Sequence, residues 1–262
     1  MKMKARHGIT GDALGVRPDL TKSLRPVGIR VVAVIPCLNT EPFIGDIVLQ
    51  ARKYVDEVIV VDDGSRDKTA DVARAAGATV ISHDKNSGYG EAIKSCFNAA
   101  KNSGADVLVI IDGDGQHNPD EIPRLLAPVF QDGADLVIGS RFPENGEHMP
   151  RYRKFGINFI TYLWNFASMV KVSDSQSGFR AYTKNVMDAL DLTERGMSIS
   201  IEILEQLRVK GSVINEVQIS CRYFKAPFNL KVFWHGFSVA LAVIRIRIKN
   251  KLSETAKTRT AL

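Results

Sequence analysis

Between residues 30 and 140 the chain alternates two rhythms. Continuous apolar runs of strand length (RVVAVIP, EVIVVDD, ATVIS, DVLVIID and ADLVIGS) are separated by stretches with helical apolar spacing. Ile44, Ile47, Val48 and Ala51 mark the first helix, with Pro42 in a first-turn position that tolerates proline. DKTADVARAAG is a second helix stopped by Gly77, and GYGEAIKSCFNAAKNSG a third closed by Gly104. PDEIPRLLAPVFQDG is a fourth. Strands that are apolar throughout must be covered on both faces, so the pattern predicts an α/β fold, doubly wound, with a mostly parallel sheet and helices on both sides. In such a fold ligands gather at the carboxyl ends of the strands. The polar residues at those ends are Pro36 to Asn39, Asp62 and Asp63, Asp112 to Gln116, and Ser140 with Arg141.

Beyond Arg141 the rhythm changes. PENGEHMPRYRK reads as a polar, basic loop. Phe155 to Val170 reads as a helix with Asn158, Thr161, Asn165 and Ser168 in a narrow polar stripe. SGFRAYTKNVMDAL predicts a turn and a helix, SISIEILEQLRVKG a helix, and SVINEVQIS a strand. Lys231 to about Leu252 is a basic amphipathic helix candidate. Residues 1–28 are expected to be a flexible basic tail, 29–230 one domain, and 231–262 the C-terminal helix and tail.

Composition narrows the partners. The 262 residues are 45% hydrophobic and 24% charged with a net charge of +6, which suits an anionic partner. Cys37, Cys96 and Cys221 lie far apart without a CxxC pair, so neither a disulfide framework nor a zinc site is expected. No basic-then-apolar leader and no run of ~20 apolar residues is seen. The expectation is a cytoplasmic protein, peripheral on the cytoplasmic face of a membrane.

Two carboxylates one residue apart, Asp112 and Asp114, end the fourth apolar run, with Gly113 between them and Gln116 following. Hard oxygen ligands at this spacing suit Mg²⁺ or Mn²⁺ bridging a substrate diphosphate. An aspartyl nucleophile and a solvated turn are rival readings. A calcium loop is excluded, because His117 stands where glycine is required and Pro123 where a bidentate glutamate belongs. Asp63, in DDGS, is placed to accept a hydrogen bond from a base or ribose, though Ser65 or Asp67 would also cap the next helix. Lys85 to Gly90 is a glycine-bearing loop opening a helix, with Asn86 in it and Lys94 one turn on. Arg141, Arg151, Arg153, Lys154, Arg180, Arg222, Lys225 and Lys231 form a basic set. Aromatic neighbours make that set a candidate mouth for a lipid phosphate, and no nucleic-acid module accompanies it. Glu202 is a candidate base or an ordinary first-turn carboxylate.

Taken in order, VIPCLN, VVDDGSRDKT, KNSGYGEAI, IIDGDGQHNPDEIPRLL, VIGSRF, SGFRAY and VQISCRY resemble the family 2 glycosyltransferases. The likeness is greatest to the branch that transfers mannose or glucose to dolichyl or polyprenyl phosphate. The resemblance implies a GT-A fold and inverting transfer of a hexose from a nucleotide diphosphate sugar to a polyprenyl phosphate. It places Pro36, Leu38, Asn39, Val61 and Asp63 at the nucleoside. It puts Asp112, Asp114 and Gln116 on the metal and diphosphate, and Arg141 near the reacting centre. Lys225 and Lys231 match a late basic pair. Asp114 and Arg141 are the expected catalytic residues, and Asn86, Lys94, Gly113 and Arg180 join the nucleotide-sugar contacts. Leu38 and Thr40 replace the family's usual Tyr and Glu, which leaves GDP against UDP open. Runner-up readings are transfer to a sugar hydroxyl, with Glu202 or Asp174 as base, and a non-catalytic nucleotide-sugar-binding subunit. A homo-oligomer or a membrane subunit as partner is also compatible.

Overall fold

The computed structural model describes residues 25–142, 149–166, 168, 170–223 and 239–248. The apolar runs become β1 (Val31–Cys37), β2 (Glu57–Asp62), β3 (Thr79–Ser82), β4 (Val107–Ile110) and β5 (Leu136–Ser140). Between them lie α1 (Glu41–Ala51), α2 (Thr69–Ala75), α3 (Tyr89–Asn102) and α4 (Ile122–Gln131). Then follow α5 (Arg151–Asn165), β6 (Arg180–Thr183), α6 (Lys184–Ala189), α7 (Ile199–Lys210) and β7 (Ile214–Gln218). A last helix, α8, covers residues 239–248. Among the described residues no helix is long and apolar enough to cross a membrane.

The seven strands form one sheet in the order β3-β2-β1-β4-β6-β5-β7. Alternate residues of one strand serve opposite faces. Val32 and Val34 pack with α3 and α7, whereas Val31, Ala33 and Ile35 pack with α1 and α4. The sheet is therefore buried on both sides, as continuous apolar strands require.

One strand departs from the expectation. SGFRAYT reads as a turn leading into a helix, yet Arg180–Thr183 is a strand, antiparallel to both β4 and β5. Four residues carry too little periodicity to announce themselves, and only the vacancy between β4 and β5 defines this strand. Its reversed direction matters, because it begins where β4 and β5 end. Segment 174–179 is thereby delivered to the edge that holds Asp112 and Arg141.

The polar stripe of α5 is also corrected. Thr161 and Ser168 are buried, and the outer face carries Phe155, Phe159, Tyr162 and Phe166. The cause is the following loop. Thr161 Oγ1 bonds Ser175 at 2.8 Å, and the Asn165 side chain bonds both the carbonyl (2.7 Å) and the N–H (3.0 Å) of Val172. Buried loop backbone needs partners, and these side chains turn inward to supply them.

Leu108 in β4 has no exposed surface. Leu108→Ala is expected to destabilise the domain by about 2–5 kcal/mol in urea denaturation. A loss under about 1 kcal/mol would contradict a tightly packed central layer.

Candidate active site

The strand ends assemble the site. Ile110 pairs with Val34 on one side and Arg180 on the other, so Asp112 lies just beyond the middle of the sheet. The chain stays close to β1 there. Gly113 N–H donates to Pro36 O at 3.2 Å, and a Cβ on Gly113 would overlap Cys37 Sγ. Asp114 accepts from the backbone N–H of Gln116 at 3.0 Å and from its side-chain amide. The carboxyl of Asp112 is pushed up to about 7, first by burial and then by the neighbouring charge of Asp114, against the pull of Arg141 and Arg180. Tyr89 offers it a hydrogen bond. A Cβ on Gly178 would run into the same carboxylate, so only glycine leaves it room.

A carboxylate pair short of positive charge, with an amide oxygen beside it, fits a hard divalent cation. Among the described residues no group of three His, Cys, Asp or Glu side chains closes a cage. The protein side chains alone therefore supply fewer donors than a closed metal cage needs.

His117 escaped the sequence reading, although it directly follows the DGDGQ segment. It is buried, its Nε2 lies 3.8 Å from Asp112 Oδ2, and its Nδ1 has no partner. Burial first, and then Arg141, push its pKa down to about 3, so the ring is neutral.

Arg141 follows β5 and is gripped by Asp174: Nε to Oδ2 at 2.6 Å and Nη2 to Oδ1 at 2.8 Å. Burial opposes both charges, but the pairing outweighs it, raising the arginine and lowering the aspartate. Glu216 holds this partner in place by accepting the N–H groups of Ser173 (2.7 Å) and Asp174 (3.1 Å). Asp174 is thus a counter-ion rather than a proton acceptor. Glu202 is equally committed, accepting Thr193 N–H at 3.0 Å, Thr193 Oγ1 at 2.6 Å and Glu194 N–H at 2.9 Å. Neither candidate base is free.

Arg180, expected on the nucleotide sugar, is held inside the fold. It is only 2% exposed and donates to the carbonyls of Ser175 (2.8 Å) and Ser200 (3.4 Å). It acts on Asp112 as charge from behind.

The fold and the strand-end carboxylates meet a match in sequence: the model of Glycosyl transferase family 2 covers residues 32–190. The chain belongs to glycosyl transferase family 2. It is 34% identical over 184 residues to the UDP-N-acetylglucosamine–dolichyl-phosphate N-acetylglucosaminyltransferase of Methanococcus voltae, covering 61% of this chain and 72% of that one. It is 33% identical over 204 residues to the undecaprenyl-phosphate mannosyltransferase of Micrococcus luteus, covering 73% and 83%. The structure is similar to that of glucosyl-3-phosphoglycerate synthase from Mycobacterium tuberculosis in complex with UDP. That match has a TM-score of 0.73 and 22% identity, and covers 90% of this chain and 86% of the other. The GT-A fold and the family membership expected from the resemblance are both borne out.

At the ends of β1 and β2, Asn39 adopts positive φ (53°) and knits two loops. Its N–H donates to Ser65 Oγ and its Oδ1 accepts Arg66 N–H, both at 2.8 Å. Leu38 is exposed beside it. Pro36 and Val61 are buried strand residues, so only their backbone could face a ligand. Asp62 accepts Ser65 N–H at 3.1 Å, and Asp63 is buried among three donors. Asn86 is exposed on the adjoining loop, whereas Lys94 is paired with Glu91 at 2.6 Å. Asp67 Oδ1 accepts Thr69 N–H at 3.0 Å, but the N-cap position of α2 is Lys68 and carries no side-chain cap bond, so neither Ser65 nor Asp67 is the cap. Lys225 and Lys231 lie outside the described residues. Arg222 N–H, near the end of the described segment, donates to Gln116 O at 2.8 Å.

Gly178→Ala is expected to leave far-UV circular dichroism unchanged while weakening Mn²⁺ binding about 10- to 100-fold by calorimetry. Unaltered Mn²⁺ affinity would show that Asp112 does not depend on that space.

Proposed function

We propose that this family 2 enzyme carries out inverting transfer of a hexose from a GDP-mannose- or UDP-glucose-type donor to a polyprenyl or dolichyl phosphate. The carrying observation is the commitment of Asp174 to Arg141 and of Glu202 to the 193–194 backbone. A sugar hydroxyl needs a base to become a nucleophile, whereas a phosphate monoester is already anionic near neutral pH. A site with fixed cation and committed carboxylates favours the phosphate acceptor. The M. voltae and M. luteus relatives, named for lipid-phosphate acceptors, support the same reading.

In the transfer a phosphate oxygen forms the new bond to the sugar's anomeric carbon from the side opposite the leaving diphosphate, whose C–O bond breaks. Charge grows on the diphosphate. Asp112, Asp114 and Gln116 would hold Mg²⁺ or Mn²⁺, which supplies Lewis-acid neutralisation of that charge. Arg141 is preorganised by Asp174, so its positive charge needs no rearrangement during the reaction. Asn39, Asp63 and the 85–88 loop bound the nucleoside. Mn²⁺ in a complex of the M. tuberculosis neighbour with UDP is consistent with the metal.

The same reading gives α5 a purpose. Its outward aromatics are 73%, 48%, 64% and 64% exposed at Phe155, Phe159, Tyr162 and Phe166, and Arg151, Arg153 and Lys154 lie at its start. Arg247 of α8 donates to the carbonyls of Leu163, Trp164 and Phe166, joining to α5 a second helix that exposes Leu241, Ile244 and Ile248. Burying one such aromatic ring is worth roughly 1.5–3 kcal/mol. An aromatic face with a basic rim suits the interface of an anionic bilayer, where the lipid acceptor resides.

Purified protein with Mn²⁺, labelled nucleotide sugars and a short polyprenyl phosphate is expected to label the lipid, and Asp114→Ala to slow this about 100-fold or more. Full-rate transfer by the variant would remove Asp114 from the mechanism. Replacing Phe155, Phe159, Tyr162 and Phe166 by serine is expected to abolish flotation with anionic liposomes while transfer to a detergent-dispersed acceptor persists. Unchanged flotation would assign membrane contact elsewhere.

A further inference from the structure

Asp63 is more than a strand-end carboxylate. Its Oδ1 accepts Ser87 N–H at 2.9 Å and meets His83 Nδ1 at 2.7 Å, and its Oδ2 accepts Gly88 N–H at 2.8 Å. His83 Nε2 in turn meets Ser95 Oγ of α3 at 2.8 Å. The backbone of the two loops is interlocked. A Cβ on Gly64 would lie 2.5 Å from Lys85 C and 2.6 Å from Asn86 N, and Gly64 itself has φ +74°. His83 N–H also donates to Asp62 O at 2.8 Å. One imidazole therefore ties β2, β3 and α3 together at the wall of the nucleoside site.

A carboxylate has about four acceptor positions. Three on Asp63 are filled, two on Oδ1 and one on Oδ2, which leaves one on Oδ2 for a ligand. The bond from His83 closes Oδ1 and so fixes which oxygen is offered. The arrangement holds in either charge state of the ring, since the Ser95 hydroxyl can donate to Nε2 or accept from it.

The order Ser95–His83–Asp63 also resembles a nucleophile relay. Ser95 lies inside α3, where backbone N–H groups are spent on the helix ladder and make no oxyanion hole. The relay has no electrophile site, and its product is orientation.

We propose that His83 is a positioning residue for nucleotide binding, acting through Asp63 to hold one carboxylate oxygen and the 85–88 loop in register for the donor's nucleoside. This rests on the nucleotide-sugar reading given above. Neither the DDGS nor the KNSGYG segment contains the residue; it meets Asp63 directly and the 87–88 backbone only through that carboxylate.

Two near-isosteric variants separate the ring's bonds. His83→Asn places an amide where Nδ1 lies, keeping the link to Asp63 and losing that to Ser95. His83→Gln places one where Nε2 lies, doing the reverse. Binding of UDP and of GDP with Mn²⁺ is measured by calorimetry on the full chain, alongside donor KM and kcat. His83→Gln is expected to weaken the nucleotide that the wild type binds by about tenfold and raise donor KM equally, with kcat within about twofold. His83→Asn is expected to stay within about threefold of wild type. Equal affinities for the two variants, or a fall in kcat without a change in KM, would overturn the assignment. Failure of the wild type to bind either nucleotide would instead overturn the nucleotide-sugar reading itself.

Discussion

Asp112 and Asp114 stand one residue apart at the end of a strand buried on both faces, and the burial of the Asp112 carboxylate, with the charge of Asp114 beside it, is the constraint around which the site is organised. Two like charges leaving water together are tolerated only where positive charge surrounds them. Arg180 provides it from inside the fold, and Arg141 from the next strand end. Arg141 needs Asp174 to hold its direction, and Asp174 needs the backbone bonds to Glu216. Gly178 leaves the Asp112 carboxylate its space, and Gly113 lets the loop run against Cys37. The supporting structure extends from β4 to β7, and its remaining deficit of positive charge matches a divalent cation.

The ends of β1 and β2 obey a different rule. There the carboxylates meet backbone N–H groups and, at Asp63, the His83 imidazole, rather than arginines. Asn39 and Asp63 each tie down neighbouring loops, and Gly64 permits a backbone approach closer than any side chain allows. Loops at strand ends are the mobile part of a doubly wound fold. Tying them to one another gives this end of the sheet preorganised walls.

Helix α5 shows how a local pattern can mislead. Its polar residues read as a solvent stripe, but Thr161, Asn165 and Ser168 serve the loop that carries Asp174. The aromatics are left outside. The loop that carries Asp174, the partner of Arg141, is secured by the helix that presents an apolar face.

The sequence alone determined the fold class, six of the seven strands and the strand-end positions of the chemistry. Continuous apolar runs and helical spacing are local properties, and the sheet's need for cover converts them into architecture. The carboxylate pair, DDGS and Arg141 were legible for the same reason, since each sits next to a recognisable run. What tertiary structure decided was partnership. That Asp174 meets Arg141 across 33 positions, that Arg180 turns inward, and that His83 reaches Asp63 and Ser95 depend on distances in space that no local pattern encodes. The short strand β6 belongs with them, because its pairing partners exist only once β4 and β5 are side by side.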